Sequence, residues 1–189
     1  MNDTLLAAFI AAFLTVFGTY GIDRYKYFVN IKQQKLSILS ALIAELSSLR
    51  ILIEDRRNGF EMVKAVFPPT TLAYIPVSYN YFSIFDNLSA EIGLLNTPET
   101  VTLVISTYTE IKGLFDNLKD LGNKAQILHN LSITSGVSQE TIKAVKDNQI
   151  KMQEVLLSEQ VPKMINLIDY CVQTLKNEKE IVRKLNFIF

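Results

Sequence analysis

Residues 4–22 (TLLAAFIAAFLTVFGTYGI) form a run of 19 without a charged side chain, and no other feature limits the fold of this chain so strongly. At 1.5 Å of rise per residue, a helix of that length covers about 28 Å, close to the hydrocarbon thickness of a bilayer. A cleaved signal peptide wants a basic start, yet the only charged side chain before the run is Asp3. A buried core helix would keep one polar face, and only Thr15, Thr19 and Tyr20 are strongly polar well inside the run. The reading is a transmembrane anchor over residues 1–22.

Orientation follows from the flanks. Arg24, Lys26, Lys32 and Lys35 lie just after the run, and no Lys or Arg precedes it. The positive-inside rule then places the amino terminus outside and residues 23–189 in the cytoplasm, at the inner (plasma) membrane, as a single-pass protein. Tyr20, Tyr25 and Tyr27 sit where interfacial aromatics are expected. The basic residues would also attract anionic lipid, but setting topology is enough to explain them. Within the run, Ala7, Ala11 and Thr15 repeat every fourth residue, with Gly18 one turn further on. Small residues at this spacing let two helices approach closely, so they are the candidates for self-association in the bilayer.

A second apolar stretch, residues 36–53, contains Glu45 and Arg50. Two central charges cost about 5–7 kcal/mol on the insertion scale and offset the gain from its apolar residues. Leu39, Leu42, Leu46, Leu49 and Ile53 step by 3, 4, 3 and 4, the seam of a water-soluble coiled coil, so a bundle helix is preferred over a second span.

The rest of the chain reads as helices. No Pro or Gly lies between Asp23 and Asn58, which predicts one helix running from the anchor to about Arg57 and ended by Asn58-Gly59. A short helix over 61–66 and a Pro-rich connector follow, then a helix over 77–92 closed by Gly93. Thr97-Pro98-Glu99 is a helix start, opening a third helix striped by Val101, Val104, Tyr108, Ile111, Phe115 and Leu118. Ser138 caps the last helix, which Ile142, Val145, Met152 and Leu156 stripe first and Val161, Ile165, Ile168, Val172, Leu175 and Val182 stripe after a kink at Pro162. The apolar tail, 185–189, is expected to fold back onto these helices. The expected class is all-α: an N-terminal transmembrane helix (1–22) continuing into an elongated antiparallel helical bundle (23–189).

Little here supports catalysis. The 19 basic and 19 acidic residues balance, which argues against nucleic acid as a partner. One cysteine, Cys171, and one histidine, His129, leave no Cys-rich or two-imidazole metal site. Neither a glycine-rich phosphate loop nor a nucleophile elbow is present, so no enzyme and no cofactor are expected. Aromatic density is the remaining feature. Tyr74, Tyr79, Tyr81, Phe82 and Phe85 fall within twelve residues. Helical spacing assigns Tyr81 and Phe85 to the core and leaves Tyr74, Tyr79 and Phe82 as a candidate partner-binding patch.

From Tyr79 to Tyr108 the chain reads YNYFSIFDNLSAEIGLLNTPETVTLVISTY. Its Tyr-rich start, its N-L-x-x-x-I-G-L-L turn and its V-x-x-V-x-x-x-Y helix resemble small bacterial and prophage-associated membrane-anchored helical proteins. The resemblance implies a membrane span followed by helices, and no known activity. The expected function is a protein-binding or self-assembling scaffold at the membrane, with the lipid bilayer and another protein or a second copy as partners. The alternative is a membrane-active effector, of anti-phage or toxin type, that oligomerises through its span and perturbs the bilayer.

Overall fold

The amino-terminal helix does not stop where its glycine would allow. In the computed structural model α1 runs unbroken over Asn2–Val66, carrying the apolar run, the basic flank and the leucine seam on one axis. The structure describes residues 2–66, 79–133, 136 and 138–185, with side chains for all of these except 2–5, 60–66, 79 and 80. The expected end at Asn58-Gly59 is corrected: Gly59 stays helical, because an isolated glycine costs only about 1 kcal/mol relative to alanine in a helix interior. No structural break marks the 22/23 boundary.

After the undescribed connector come a 3₁₀ turn, Tyr79–Phe82, the short helix α2, Ser83–Leu88, and a second 3₁₀ turn, Ile92–Leu94. From Tyr79 on, the single helix expected over 77–92 is three short pieces; 77 and 78 lie outside the described residues. Asn87, Ser89 and Asn80 are weak helix formers, and the tighter 3₁₀ turns rotate the chain so that Phe82 and Ile92 both point inward, each 2% exposed. Gly93 sits inside the second 3₁₀ turn without a positive φ, so its expected role as the glycine that closes a helix over 77–92 is also corrected.

Helix α3, Pro98–Ile133, starts as its sequence predicts. The Thr97 hydroxyl accepts the Thr100 N–H at 3.2 Å, and Pro98 fills the first position. Helix α4, Gln139–Val155, is capped by Ser138, whose hydroxyl accepts the Thr141 N–H at 3.1 Å. A π turn, Leu156–Gln160, joins it to α5, Val161–Lys184. Pro162 has no N–H and its ring crowds the carbonyl one turn back; the wide turn just before it, closed by Val161 N–H to the Leu156 carbonyl, absorbs that conflict without ending the rod.

Among the described residues there is no strand, and the fold is all-α. Cross-links give the directions of the rods. Lys32 reaches the carbonyls of Arg183 and Leu185, and Arg50 meets Asp169 at 2.7 Å, so α1 and α5 run antiparallel. Lys35 meets Asn96 and Glu45 meets Tyr108, so α3 runs parallel to α1, and the α2 region is wedged between them. The seam residues Leu39, Leu42, Leu46, Leu49 and Ile53 are all buried, in one cluster with the stripes of α3 and α5. That burial accounts for 36–53 as a bundle helix. The α4 stripe is looser: Leu156 is buried, but Met152 is 43% exposed and Gln149 takes an interior position instead.

This packing fixes an expected pair of outcomes for denaturant unfolding of the full chain in detergent. Leu46→Ala should lower stability by about 2–5 kcal/mol. Ile51→Ala, at a residue 58% exposed, should change it by less than about 0.5 kcal/mol. Equal losses would contradict the assignment of the seam.

Candidate functional site

Among the described residues, the first third of α1 has nothing to pack against. Every described side chain from residue 6 to 20 is exposed, with Phe9 at 71%, Leu14 and Val16 at 65% and Leu6 at 61%. The helix is long and apolar enough to cross a membrane. At 100° per residue its side chains also segregate by size. Ala7, Ala8, Ala11, Ala12, Thr15, Gly18 and Thr19 fall within one sector of about 140°, and the Leu, Ile, Val, Phe and Tyr side chains of 6–20 fill the opposite side. The candidate residues Ala7, Ala11, Thr15 and Gly18 thus lie together on the small face. A Cβ added at Gly18 would meet no atom within 4 Å. The two hydroxyls on this face are occupied: Thr15 donates to the Ala11 carbonyl at 2.8 Å and Thr19 to the Thr15 carbonyl at 2.7 Å. Such back-bonding leaves no hydroxyl donor unsatisfied in an apolar medium. On the opposite face the Phe13 and Phe17 rings meet tilted by 35°, with centroids 4.1 Å apart. Where the run ends, Arg24 lies over the Tyr20 ring and donates from Nε to its hydroxyl at 2.9 Å.

The aromatic segment does something else. Glu45, one turn along the seam from Leu42, is 6% exposed, and its carboxylate accepts three hydrogen bonds. Two come from the Ile84 and Phe85 N–H groups, at 2.8 and 2.9 Å, and one from the Tyr108 hydroxyl at 2.7 Å. Glu45 of α1 therefore caps α2 from outside and ties it to α3. Around this junction Phe85 stacks on Tyr108 at 4.0 Å and Phe82 meets Tyr108 and Phe115 edge-on. Lys112 lies over the Phe82 and Phe85 rings and pairs with Asp86 at 2.7 Å. The partner-binding patch is corrected on this point: Phe82 is 2% exposed and belongs to the core, while Tyr81 and Phe85 flank it half-buried. The 3₁₀ turn before α2 produces this shift in facing. Tyr74 and the Tyr79 side chain lie outside the described residues.

A second interior carboxylate closes the end of the bundle nearest the apolar run. Glu178, 5% exposed, accepts the Asn96 N–H just before α3, and Lys35 donates to the side-chain Oδ1 of Asn96 at 2.6 Å. Farther along, the π turn brings Gln160 within 3.4 Å of Asn117. Clefts of about 320 and 430 Å³ flank that contact, the first floored by Leu121, Val155 and Leu156, the second by Leu114 and Met164. Among the described residues no group of three or more His, Cys, Asp or Glu converges as metal ligands. Cys171 is buried, and burial pushes its thiol up, away from the reactive thiolate.

The chain matches no protein-family model, no curated protein and no solved structure. The resemblance over Tyr79 to Tyr108 rests on its own residues, and these form the α2 wedge and the start of α3.

The sequence missed Glu45 and Glu178 as junctions. The available signal was a carboxylate at a seam position in each stripe: Glu45 beside Leu46, and Glu178 between Leu175 and Val182. Removing the partners should rank the junction's contributions. Glu45→Ala leaves two N–H groups and a phenol unpaired and should cost about 2–4 kcal/mol, whereas Tyr108→Phe should cost about 1–2 kcal/mol. Equivalent losses in thermal or denaturant unfolding would contradict this. Burial first, then the bond to Glu45 and its charge, hold the Tyr108 phenol well above its ordinary value of 10.0. The neutral phenol therefore contributes stability that is complete below pH about 10 and is lost as pH rises further. The alkaline decline in bundle stability should be shallower in Tyr108→Phe; an unchanged decline would contradict that source.

Proposed function

We propose that this chain is a single-pass membrane protein that holds a helical bundle at the cytoplasmic face of the plasma membrane and self-assembles there as a scaffold. One observation carries the reading: a helix packed tightly over 38–53 continues into a segment, 6–20, on which no side chain is buried. Eight large aliphatic or Phe side chains of 6–22 stand 49–71% exposed. Leaving them in water would forfeit roughly 10 kcal/mol or more, as much as the whole net stability of a typical domain. A bilayer removes that penalty, and helical backbone satisfies its own polar groups within it.

Orientation rests on the basic flank, with the amino terminus outside. Self-assembly is supported by the segregated small face of Ala7, Ala11, Thr15 and Gly18, which lets a second copy approach backbone to backbone. Confinement to a membrane then raises the effective concentration of whatever the bundle presents.

The protein should stay in the membrane pellet after alkaline carbonate extraction and should cross-link as an oligomer in membranes. Ala11→Leu with Gly18→Leu should keep it in the pellet while reducing cross-linked oligomer several-fold. Release into the supernatant would remove the anchor, and undiminished cross-linking would remove the small face. Collapse of the membrane potential on expression, relieved by the same two substitutions, would favour the effector reading over the scaffold.

A further inference from the structure

The net charge of zero hides a polarity that only the fold reveals. Helix α5 runs antiparallel to α1, so its last turn points back towards the apolar run. Lys32 fastens it at that level, donating to the carbonyls of Arg183 and Leu185 at 2.9 and 2.6 Å. Two stretches about 150 residues apart in sequence thereby form one end of the molecule: 23–32 of α1 and 179–185 of α5. They carry six basic side chains, Arg24, Lys26, Lys32, Lys179, Arg183 and Lys184, against two acidic ones, Asp23 and Glu180. The rest of the chain holds 13 basic and 17 acidic residues.

We propose that this end binds anionic lipid headgroups, with Lys179, Arg183 and Lys184 of α5 joining Arg24 and Lys26 of α1 against the bilayer surface. The inference rests on the membrane reading above and names the lipid chemistry that reading leaves open. Lys32 lies ten residues beyond Ile22, about 15 Å along the helix axis. Headgroups fill roughly the first 5–7 Å of that distance, and the surface potential extends about 8 Å further at physiological salt. The last turn of α5, held at the level of Lys32, stands at the outer edge of this layer, within reach of the long Arg183 and Lys184 side chains, with Lys179 one turn farther out. Arg183 pairs with Glu180, while among the described residues Lys26, Lys179 and Lys184 form no ion pair. Arginine and lysine in the last turn also favour the α5 dipole, but that effect belongs to one helix and does not call for the matching cluster on α1. Of the other acids near this end, Glu178 is turned inward to Asn96, and Glu99 stands exposed in the first turn of α3, just past the Asn96 that Lys35 holds.

The test is lipid selectivity, measured with the full-length protein reconstituted in phosphatidylcholine vesicles. Spin-labelled phosphatidylglycerol and spin-labelled phosphatidylcholine report the lipid immobilised at the protein. Because each basic side chain near an anionic surface is worth up to about fivefold, phosphatidylglycerol should be preferred roughly threefold or more. The preference should fall with salt and approach parity in Lys179→Gln/Arg183→Gln/Lys184→Gln, with the bundle melting as before. Should that variant misfold, Lys26→Gln/Lys184→Gln removes two exposed, unpaired charges and should still reduce the preference. Equal association of the two lipids with wild-type protein that co-floats with vesicles would overturn the inference and leave the anchor standing. Loss of the preference in inorganic phosphate, but not in chloride of equal ionic strength, would also overturn it, by revealing a soluble-anion site. Failure to co-float at all would sink both.

Discussion

A single helix of 65 residues is about 98 Å long, and this chain folds only the second half of it into a bundle. That mismatch sets everything else. The seam from Leu39 to Ile53 has α5 and the α2 wedge to bury it, so it behaves as an ordinary bundle helix. The run over 4–22 carries no charge, and among the described residues nothing covers its side chains over 6–20, so apolar contacts for it have to come from its surroundings. Since the helix is continuous, any force that fixes the first segment also fixes the position and axis of the bundle. In the proposed membrane reading, tethering and orientation follow from one element.

Rigidity at the junction comes from Glu45. Burying a carboxylate costs several kcal/mol unless its lone pairs are met, and at Glu45 two backbone N–H groups and a phenol meet them. Its consequence is topological. Helix α2 is six residues long and has no side-chain cap of its own, so its orphan N–H groups are satisfied only if α1 lies alongside. The wedge in turn supplies Phe82 and Phe85 to the gap between α1 and α3. At the end nearest the apolar run Glu178 accepts the Asn96 N–H through one oxygen, while its other oxygen is buried with no hydrogen-bond partner among the described residues. The two carboxylates, at seam positions of α1 and α5, locate the irregular 79–97 segment from both sides, and the third rod, α3, follows from it.

The regular parts of this architecture were legible in the amino acids, and the irregular parts were not. Leu39 to Ile53 and Val104 to Leu118 bury the stripes their spacing marks, because 3–4 periodicity is a direct readout of which face meets a core. The Thr97 and Ser138 caps were readable because each bond spans only three residues. Glu45 and Glu178 were opaque for the opposite reason: their partners lie 39 to 82 residues away in sequence. Gly59 and Gly93 misled, since glycine permits a helix to end but does not compel it, and the tertiary packing on either side decided. Phe82 misled because a 3₁₀ turn changes the angular step, so facing computed at 100° per residue fails across it. Pro162 signalled a disturbance correctly, yet gave no indication that it would be absorbed as a π turn. Of the site residues, the small face over Ala7 to Gly18 was visible in the spacing. The basic cluster completed by Lys179, Arg183 and Lys184 was not, because only the antiparallel return of α5 brings it there.

The central claim is that one uninterrupted helix has its first part in lipid and its later part in protein. Amide hydrogen exchange of the full-length protein in bilayer nanodiscs, resolved along α1, tests it most directly. Amides of 8–22 should exchange as slowly as those of the packed seam over 39–53, with the helical but solvated stretch over 24–34 faster than both. Rapid exchange throughout 8–22, with protection confined to the seam, would contradict the account.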